Sequence, residues 1–440
     1  MRVGIVRTTP WSVGGGFQYE VLLLDALAEV ARRSPHDLVC LTNPDRHLYN
    51  LVATGAVSYA GLPMATLREP WLDQRPPEAY LDDPATAGPQ PDWFTPHLDR
   101  SLEPRLHALG IDWVFQLSQS PFVFSTHRPF VMPIHDLQHR LQPEFPEVGS
   151  PAEGAFREYL YRNACRFATL ILVDSEQGKA DVLRFYGDLI DENRIRILPF
   201  HPPTRAVEMP DDAELRRVAA AYRLPPRFFF YPAQFWRHKN HHLIVQALRR
   251  IADRTGEAVP VVLCGAYTDA VRAATFIEVM ALADELGVRR QIHYLGWVPD
   301  RDVPALYRLS AGLVMPTFFG PTNIPALEAW RYGRPVITSD IPGLREQTGD
   351  AGLLVDPRSP DQLADAMLRL WRDDALATVL AERGQARLAA YRWEDFVARV
   401  AGIVDEASAR LREGLSPRYS SNDYERFSLT YSAPTEAQGS

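Results

Sequence analysis

Cysteine is scarce in this chain. The three present, Cys40, Cys165 and Cys264, lie far apart, an odd number without the close spacing of a metal site. Buried thiols in a reducing compartment are the expected reading. No apolar run reaches the roughly 20 residues that a bilayer requires. The first residues, Met1-Arg2-Val3-Gly4-Ile5-Val6, enter a strand-like run without a signal-peptide core. The cytoplasm is therefore the expected location, with the inner face of a membrane as a peripheral site. Positive charge is not in excess either. Lys and Arg total 47 against 55 Asp and Glu, a net charge of −8, whereas a general nucleic-acid binder is expected to be basic.

What the chain does contain is apolar material in short runs. With 440 residues and 46% hydrophobic content, it can build two separate cores. Runs rich in Val, Ile, Leu and Phe alternate with stretches of helical periodicity, the pattern of parallel sheets covered by helices. Strands are expected at 3–6, 38–41, 113–116, 130–134, 170–173 and 195–198, then at 228–231, 261–264, 292–295, 313–315, 335–338 and 352–355. Two sets of this size imply two Rossmann-like α/β domains facing across a cleft. The proline-rich stretch from Pro199 to Pro210 suits a stiff linker. The expected divisions are 1–203, 204–392, a closing helix over 393–412 that crosses back to the first domain, and a tail over 413–440 that reads as disordered, most clearly from Ser416. Residues 62–104, rich in proline and acid, read as an irregular insertion in the first domain.

One stretch carries chemistry. The run Ala311–Pro316 reads as a buried strand, followed by Thr317-Phe318-Phe319-Gly320-Pro321-Thr322-Asn323 and a helix that opens near Pro325. Proline suits a first helical position, where its missing N–H would be unpaired anyway. A strand, a tight loop and a helix N-terminus gather unpaired backbone N–H groups around an anion, here a diphosphate. Glu328 lies one turn further along, placed to accept hydrogen bonds from ligand hydroxyls.

Ordered motifs along the chain resemble one known family. Gly14-Gly15-Gly16 follows the first strand, and Pro133-Ile134-His135-Asp136-Leu137-Gln138-His139 ends a middle one. Val173-Asp174-Ser175-Glu176-Gln177-Gly178-Lys179 and Arg237-His238-Lys239-Asn240-His241 follow in family order. Then come Leu295-Gly296-Trp297-Val298-Pro299, the loop just described, Gly333-Arg334-Pro335-Val336-Ile337, Gly352–Pro357 and Tyr391-Arg392-Trp393-Glu394. Up to about residue 412 the chain resembles a retaining GT-B glycosyltransferase of family 4. It departs from that pattern twice. The family carries two glutamates separated by seven residues; here Glu328 is the second and Gly320 stands for the first. Ala233-Gln234 stands where the family often has Gly-Arg.

The resemblance implies transfer of a hexose from a nucleotide diphosphate sugar to a hydroxyl of a glycan, lipid-linked saccharide or small acceptor. It implies no cofactor beyond that co-substrate, no metal and no nucleic-acid partner. Lys239 would place a point charge on the diphosphate, with Arg237 as a second cation; a solvated surface position is the plain reading of each. The Asn323 and Ile324 amides would cradle the diphosphate. The Thr322 and Asn323 side chains would stand in for the first glutamate toward ligand hydroxyls, unless they only cap the helix. Glu328 would bind ribose hydroxyls, or simply favour its helix dipole. His135 would meet the transferred sugar, or serve only as a structural histidine, with Asp136 capping the next helix. Gly15 and Gly16 would let backbone approach the donor, or form a turn. Asp300-Arg301-Asp302 reads as a helix cap, not a metal motif. Glu346 reads equally as a supporting group or a surface residue. A sugar-nucleotide epimerase, or a nucleotide-sugar-binding module without catalysis, are the rival readings.

Overall fold

The computed structural model describes residues 1–6, 14–42, 62–66, 102–202, 209–320 and 323–418. The chain forms two compact units. One comprises Met1–Glu144, Val148–Pro199 and Trp393–Ser440; the other comprises Phe145–Glu147 and Phe200–Arg392.

The first unit holds seven strands: β1 (Arg2–Val6), β2 (Asp37–Thr42), β3 (Met64–Thr66), β4 (Trp113–Gln116), β5 (Phe130–Pro133), β6 (Leu170–Val173) and β7 (Ile195–Ile197). Their order is β3-β2-β1-β4-β5-β6-β7, and every pairing is parallel. The central strands are buried along their whole length, which explains why they read as unbroken apolar runs: helices cover both faces of a parallel sheet. The Gly14–Arg33 helix packs on the Trp393–Arg412 helix within this unit. The Trp393 indole donates to Glu29 (2.8 Å), and the Trp113 indole of β4 donates to Ser408 (3.1 Å), so the closing helix is fixed on both sides.

The second unit holds β8 (Phe229–Pro232), β9 (Val261–Cys264), β10 (Ile292–Tyr294), β11 (Gly312–Met315), β12 (Val336–Ser339) and β13 (Gly352–Val355) in the order β10-β9-β8-β11-β12-β13, again all parallel. In each unit the order reverses once, between β1 and β4 and between β8 and β11. Ligands of open α/β sheets sit at such a switch point, outside the carboxyl ends of the strands. His201 already belongs with the second unit, where its ring contacts the Tyr391 carbonyl at 3.0 Å.

Three expectations need correction. The range 62–104 is not irregular throughout: β3 pairs with β2, and a helix runs over Leu102–Ala108. A three-residue edge strand, Met-Ala-Thr, is too short to show periodicity. Residues 67–101 lie outside the described residues. The tail does not begin at Ser416, which is buried with its hydroxyl 2.9 Å from that of Thr169; residues 419–440 lie outside the described residues. Asp302 occupies the N-cap position of the Val303–Leu309 helix but makes no capping bond. Its carboxylate accepts from Tyr222 (2.7 Å) and from Arg217 instead. The three cysteines are buried free thiols, as the sequence implied.

The Ile324–Arg331 helix is seated on the Asp374–Leu388 helix through Trp330, which is fully buried. A Cβ on Gly384 would lie 2.0 Å from Trp330 Cδ1. Gly384→Ala therefore overpacks the seat of the helix that carries Glu328, at a cost of about 1–3 kcal/mol. A lowered Tm in calorimetry is the expected result, and an unchanged Tm would show that this helix pair yields freely.

Candidate functional site

In the second unit the two loops that flank the switch point are tied together. After β8 the chain makes a 3-10 turn at Arg237–Lys239, then Asn240 adopts a left-handed backbone (φ 59°, ψ 40°) before the His241–Thr255 helix. Asparagine tolerates that conformation better than most residues. The buried Asn240 carboxamide donates to the carbonyls of Pro316 (2.9 Å) and Pro357 (2.7 Å). One side chain thus fastens the Lys239 turn to the loops after β11 and β13. The Tyr231 hydroxyl donates to the Lys239 carbonyl at 3.0 Å. The His238 carbonyl accepts from the Phe318 N–H at 2.8 Å, and the His238 ring stacks on Phe319 with 3.8 Å between centroids.

A further anchor was invisible in the sequence. Glu147, on the Phe145–Glu147 segment of the second unit, accepts from the His238 backbone N–H at 2.8 Å and pairs with its ring. Burial works to raise the Glu147 carboxyl, but the bonds from His238 outweigh it and hold the carboxyl below its ordinary value. Phe145 packs against Phe318 and Phe319. The residue before Lys239 is therefore gripped at its N–H, its carbonyl and its ring.

Lys239 is half-buried on this turn. The chain contains only two lysines. Lys179 is paired with Glu192 at 2.7 Å, and Lys239 is the other. Arg237 does not join it: its guanidinium pairs with Glu278 on the Ala270–Glu285 helix. The expected second cation is thus held elsewhere by a carboxylate.

The loop after β11 also differs from expectation. The Asn323 N–H donates to Gln347 Oε1 (3.0 Å), and Gln347 Nε2 donates back to the Asn323 carbonyl (3.0 Å). The Asn323 side chain donates to the Gly320 carbonyl at 3.2 Å. Asn323 is thus taken up within the loop and is neither an open amide nor a spare side chain for a ligand. Thr322 lies outside the described residues. Pro325 has no N–H, so helix geometry leaves the N–H groups of Ile324 and Ala326 without a partner inside their own helix. Glu328 accepts from the Tyr307 hydroxyl at 2.8 Å, and burial pushes its carboxyl above the ordinary value.

Gly320 has a structural cause. Its φ is +120°, and a Cβ there would lie 2.7 Å from Asn323 Nδ2. The loop closes over this position in a way that only glycine permits. Ala233, the other departure, is packed under the next loop, its carbonyl 2.3 Å from where a Cβ on Gly265 would sit.

The first unit presents His135 just beyond β5, edge-on to Tyr19 with 4.8 Å between ring centroids. Gly15 and Gly16 are not in a loop but in the first turn of the helix that carries Tyr19. Burial, with Asp136 opposing and Arg157 assisting, pulls the His135 imidazole down to about 4. Asp136 accepts from the Gln138 N–H (3.1 Å) and from Arg157 Nη1 (2.9 Å). Burial would raise Asp136, but Arg157 and the backbone bond keep it below its ordinary value. Next along the Pro151–Phe167 helix, buried Glu158 accepts from Tyr186 (3.0 Å) and contacts His139 (2.9 Å) and Arg140. Burial opposes ionisation there too, but His139 and Arg140 bring that carboxyl to about 2. Arg157 and Glu158 thus hold the segment that follows His135. Neither was legible in the sequence, where both look like ordinary helix charges. No group of three or more His, Cys, Asp or Glu among the described residues has metal-site geometry, and no described helix is long and apolar enough to cross a membrane.

Gly320→Glu restores the residue of the resembled family at a left-handed, closed position, so it should lower the Tm; a Tm equal to wild type would show that the loop has another conformation within reach. His135 should stay neutral throughout the neutral range. Its ring resonances in NMR should be flat from pH 8 down to about 5 and move only below, and a midpoint near 6.5 would contradict the burial that sets it.

The chain is similar to known proteins in sequence and in fold. The family model described as Glycosyl transferases group 1 matches residues 213–387. The O-antigen chain mannosyltransferase B of Escherichia coli is 28% identical over 305 residues, which cover 67% of this chain and 76% of that protein. A D-inositol 3-phosphate glycosyltransferase of Corynebacterium urealyticum is 26% identical over 281 residues, covering 61% and 65% respectively. Among solved structures, a glycosyltransferase from Rickettsia africae superposes with a TM-score of 0.65 at 14% identity, covering 92% of this chain and 98% of its own. An Anabaena protein, HepE, in complex with UDP-glucose gives 0.66 at 16% identity, covering 92% and 99%. With its two parallel sheets and the matched domain over residues 213–387, the chain is a glycosyltransferase of the GT-B fold.

Proposed function

We propose that the protein transfers a hexose, with retention of configuration, from a nucleotide diphosphate sugar to a hydroxyl of a glycan or lipid-linked saccharide in polysaccharide or glycoconjugate synthesis, as a family 4 enzyme. The observation that carries this reading is the fastening of the Lys239 turn to the loop that opens the Ile324–Arg331 helix, at the switch point of the second sheet. An ammonium on a fastened turn and the N–H groups of a helix N-terminus are then the charges that meet a diphosphate. The relatives' names support the polymer context: one is a mannosyltransferase of O-antigen chains. The complex of the Anabaena protein with UDP-glucose supports a nucleotide sugar as donor.

In this reading the bond between the anomeric carbon and the phosphate oxygen breaks as the acceptor oxygen bonds to the same face of that carbon. The acceptor's proton passes to the departing phosphate oxygen, so no protein carboxylate need act as nucleophile. Lys239 and the Ile324 and Ala326 N–H groups offset the charge that develops on the diphosphate. Glu328, steadied by Tyr307, accepts from the ribose hydroxyls. His135 offers a neutral imidazole to a sugar hydroxyl. Gly15 and Gly16, in the first turn of their helix, leave backbone open to the donor. No metal or further cofactor takes part, and the enzyme works in the cytoplasm, in contact with the inner membrane face where its acceptor is lipid-linked.

A screen of UDP-, GDP- and TDP-hexoses tests the reading, with diphosphate release and thermal shift as readouts. One donor class should raise the Tm and turn over; absence of both across the panel would defeat the proposal. Lys239→Ala should lower kcat/KM for that donor by about 100-fold. Glu328→Gln separates function from stability. The folded state holds the Glu328 proton more tightly than the unfolded chain, so the native fold loses stability as pH rises through the raised pKa. The glutamine variant avoids that loss. Its Tm should exceed wild type at about pH 7–8, with the gain shrinking toward the ordinary carboxyl value, while the donor KM rises. A lower Tm at neutral pH, or an unchanged KM, would count against the assigned role.

A further inference from the structure

A cavity lies at the amino ends of the strands of the second sheet. Its volume is about 630 Å³, and its walls include Pro226, Ala311 and Pro335, which lead into the amino ends of β8, β11 and β12. That size suits a small-molecule site. Lys239 and the Ile324 helix N-terminus sit beyond the carboxyl ends of the same strands, so the two places are separated by the length of the sheet.

Its charges are unusual. Arg308 and Arg334 both line it, and the Nε of each is buried without a hydrogen-bond partner among the described residues. Arg334 Nη1 donates to the Ser310 carbonyl at 3.2 Å. Burial first, and then the neighbouring Arg308 charge, lowers the affinity of the Arg334 guanidinium for its proton. Two like charges therefore share one wall. Arg227 differs, being paired with Asp374 at 2.8 Å and lying over the Trp371 ring at 4.8 Å. Glu382 is the remaining acid of the lining, and among the described residues it forms no ion pair with either Arg308 or Arg334.

Arginine cannot shed its charge to escape burial as a lysine can. Arg308 and Arg334 are half-buried, and among the described residues no carboxylate forms an ion pair with either, so an anion in the cavity would offset both charges. We propose that this cavity binds a phosphate-bearing small molecule, with Arg308 and Arg334 as the two forks that grip the phosphate. A dianion matches two adjacent guanidiniums better than a single carboxylate does, and phosphate oxygens accept the charge-assisted N–H bonds that guanidinium groups donate. The cavity also lies where the helices of the donor side end. Arg308 follows Tyr307, whose hydroxyl holds Glu328, and Arg334 follows the Ile324–Arg331 helix.

Calorimetric titration of inorganic phosphate into the full chain tests this. The variants are Lys239→Ala, Arg308→Gln, Arg308→Gln with Arg334→Gln, and Glu382→Gln. Phosphate should bind Lys239→Ala as tightly as wild type, because its site is not the donor turn. Arg308→Gln should weaken it about tenfold and the double variant further, since each fork is a charge-assisted pair. Glu382→Gln should tighten it, because a carboxylate of the lining is removed. Affinity unchanged in Arg308→Gln would overturn the proposal, as would binding abolished in Lys239→Ala. Arg334 bonds to the Ser310 carbonyl, so the double variant could fail to fold; Arg308→Gln and Glu382→Gln then decide, because neither side chain makes a hydrogen bond to a described residue.

Discussion

The carboxamide of Asn240 is the constraint on which the candidate site of the second unit depends. Its two N–H groups reach carbonyls in two other loops, and its own backbone sits in the left-handed region. Three loops from three strands are thereby fixed at one edge of the sheet. Without that clamp the Lys239 turn would be an exposed loop of three basic residues, free to move away from the helix that follows β11. A long, flexible lysine is a weak point charge unless its backbone is held. Here the backbone on either side is held, by Asn240 after it and by the His238 contacts before it. Preorganisation of this kind lets a cation stabilise developing charge without reorganising during the reaction.

Much of the architecture was legible because it is local. Parallel strands buried on both faces are short apolar runs, and the helices between them show periodicity, so most elements stood out within a few residues of their ends. The elements missed were the ones too short to repeat a period, such as β3. The candidate site was legible only in part, for a different reason. Lys239 and Glu328 are each marked by neighbours in sequence. The groups that position them come from far away: Glu147 is 91 positions from His238, Gln347 is 24 from Asn323, and Tyr307 is 21 from Glu328. Nothing in a linear pattern reports such pairs. One signal was available and unread. In a chain whose strong cations are otherwise all arginine, two lysines stand out, and one of them sits on the clamped turn.

The two departures from the resembled family take on a physical meaning in this light. A loop that needs glycine at 320 for its φ of +120° cannot also present a carboxylate there. The sequence suggested that Asn323 would make up the loss, but its carboxamide closes the loop onto Gly320 and its backbone is matched by Gln347. The loop has internal order where the resembled family has an acid. Its rigidity comes from neutral hydrogen bonds, which cost little to bury once they are satisfied.

The second acid of that pattern is present as Glu328. Glu328 is a carboxylate that burial makes reluctant to ionise, and its hydrogen bond from Tyr307 only partly compensates. Such a group is a poor contributor to stability and a good acceptor for hydroxyls, because a ligand that donates to it restores solvation the fold withheld. The same reasoning separates it from Glu147 and Glu158. Those carboxyls are also buried, but the bonds from their partners outweigh burial and hold them ionised. Burial alone does not set the state of a carboxyl in this protein. What sets Glu328 apart is burial that the neutral Tyr307 hydroxyl leaves uncompensated, beside a helix N-terminus that is itself short of acceptors.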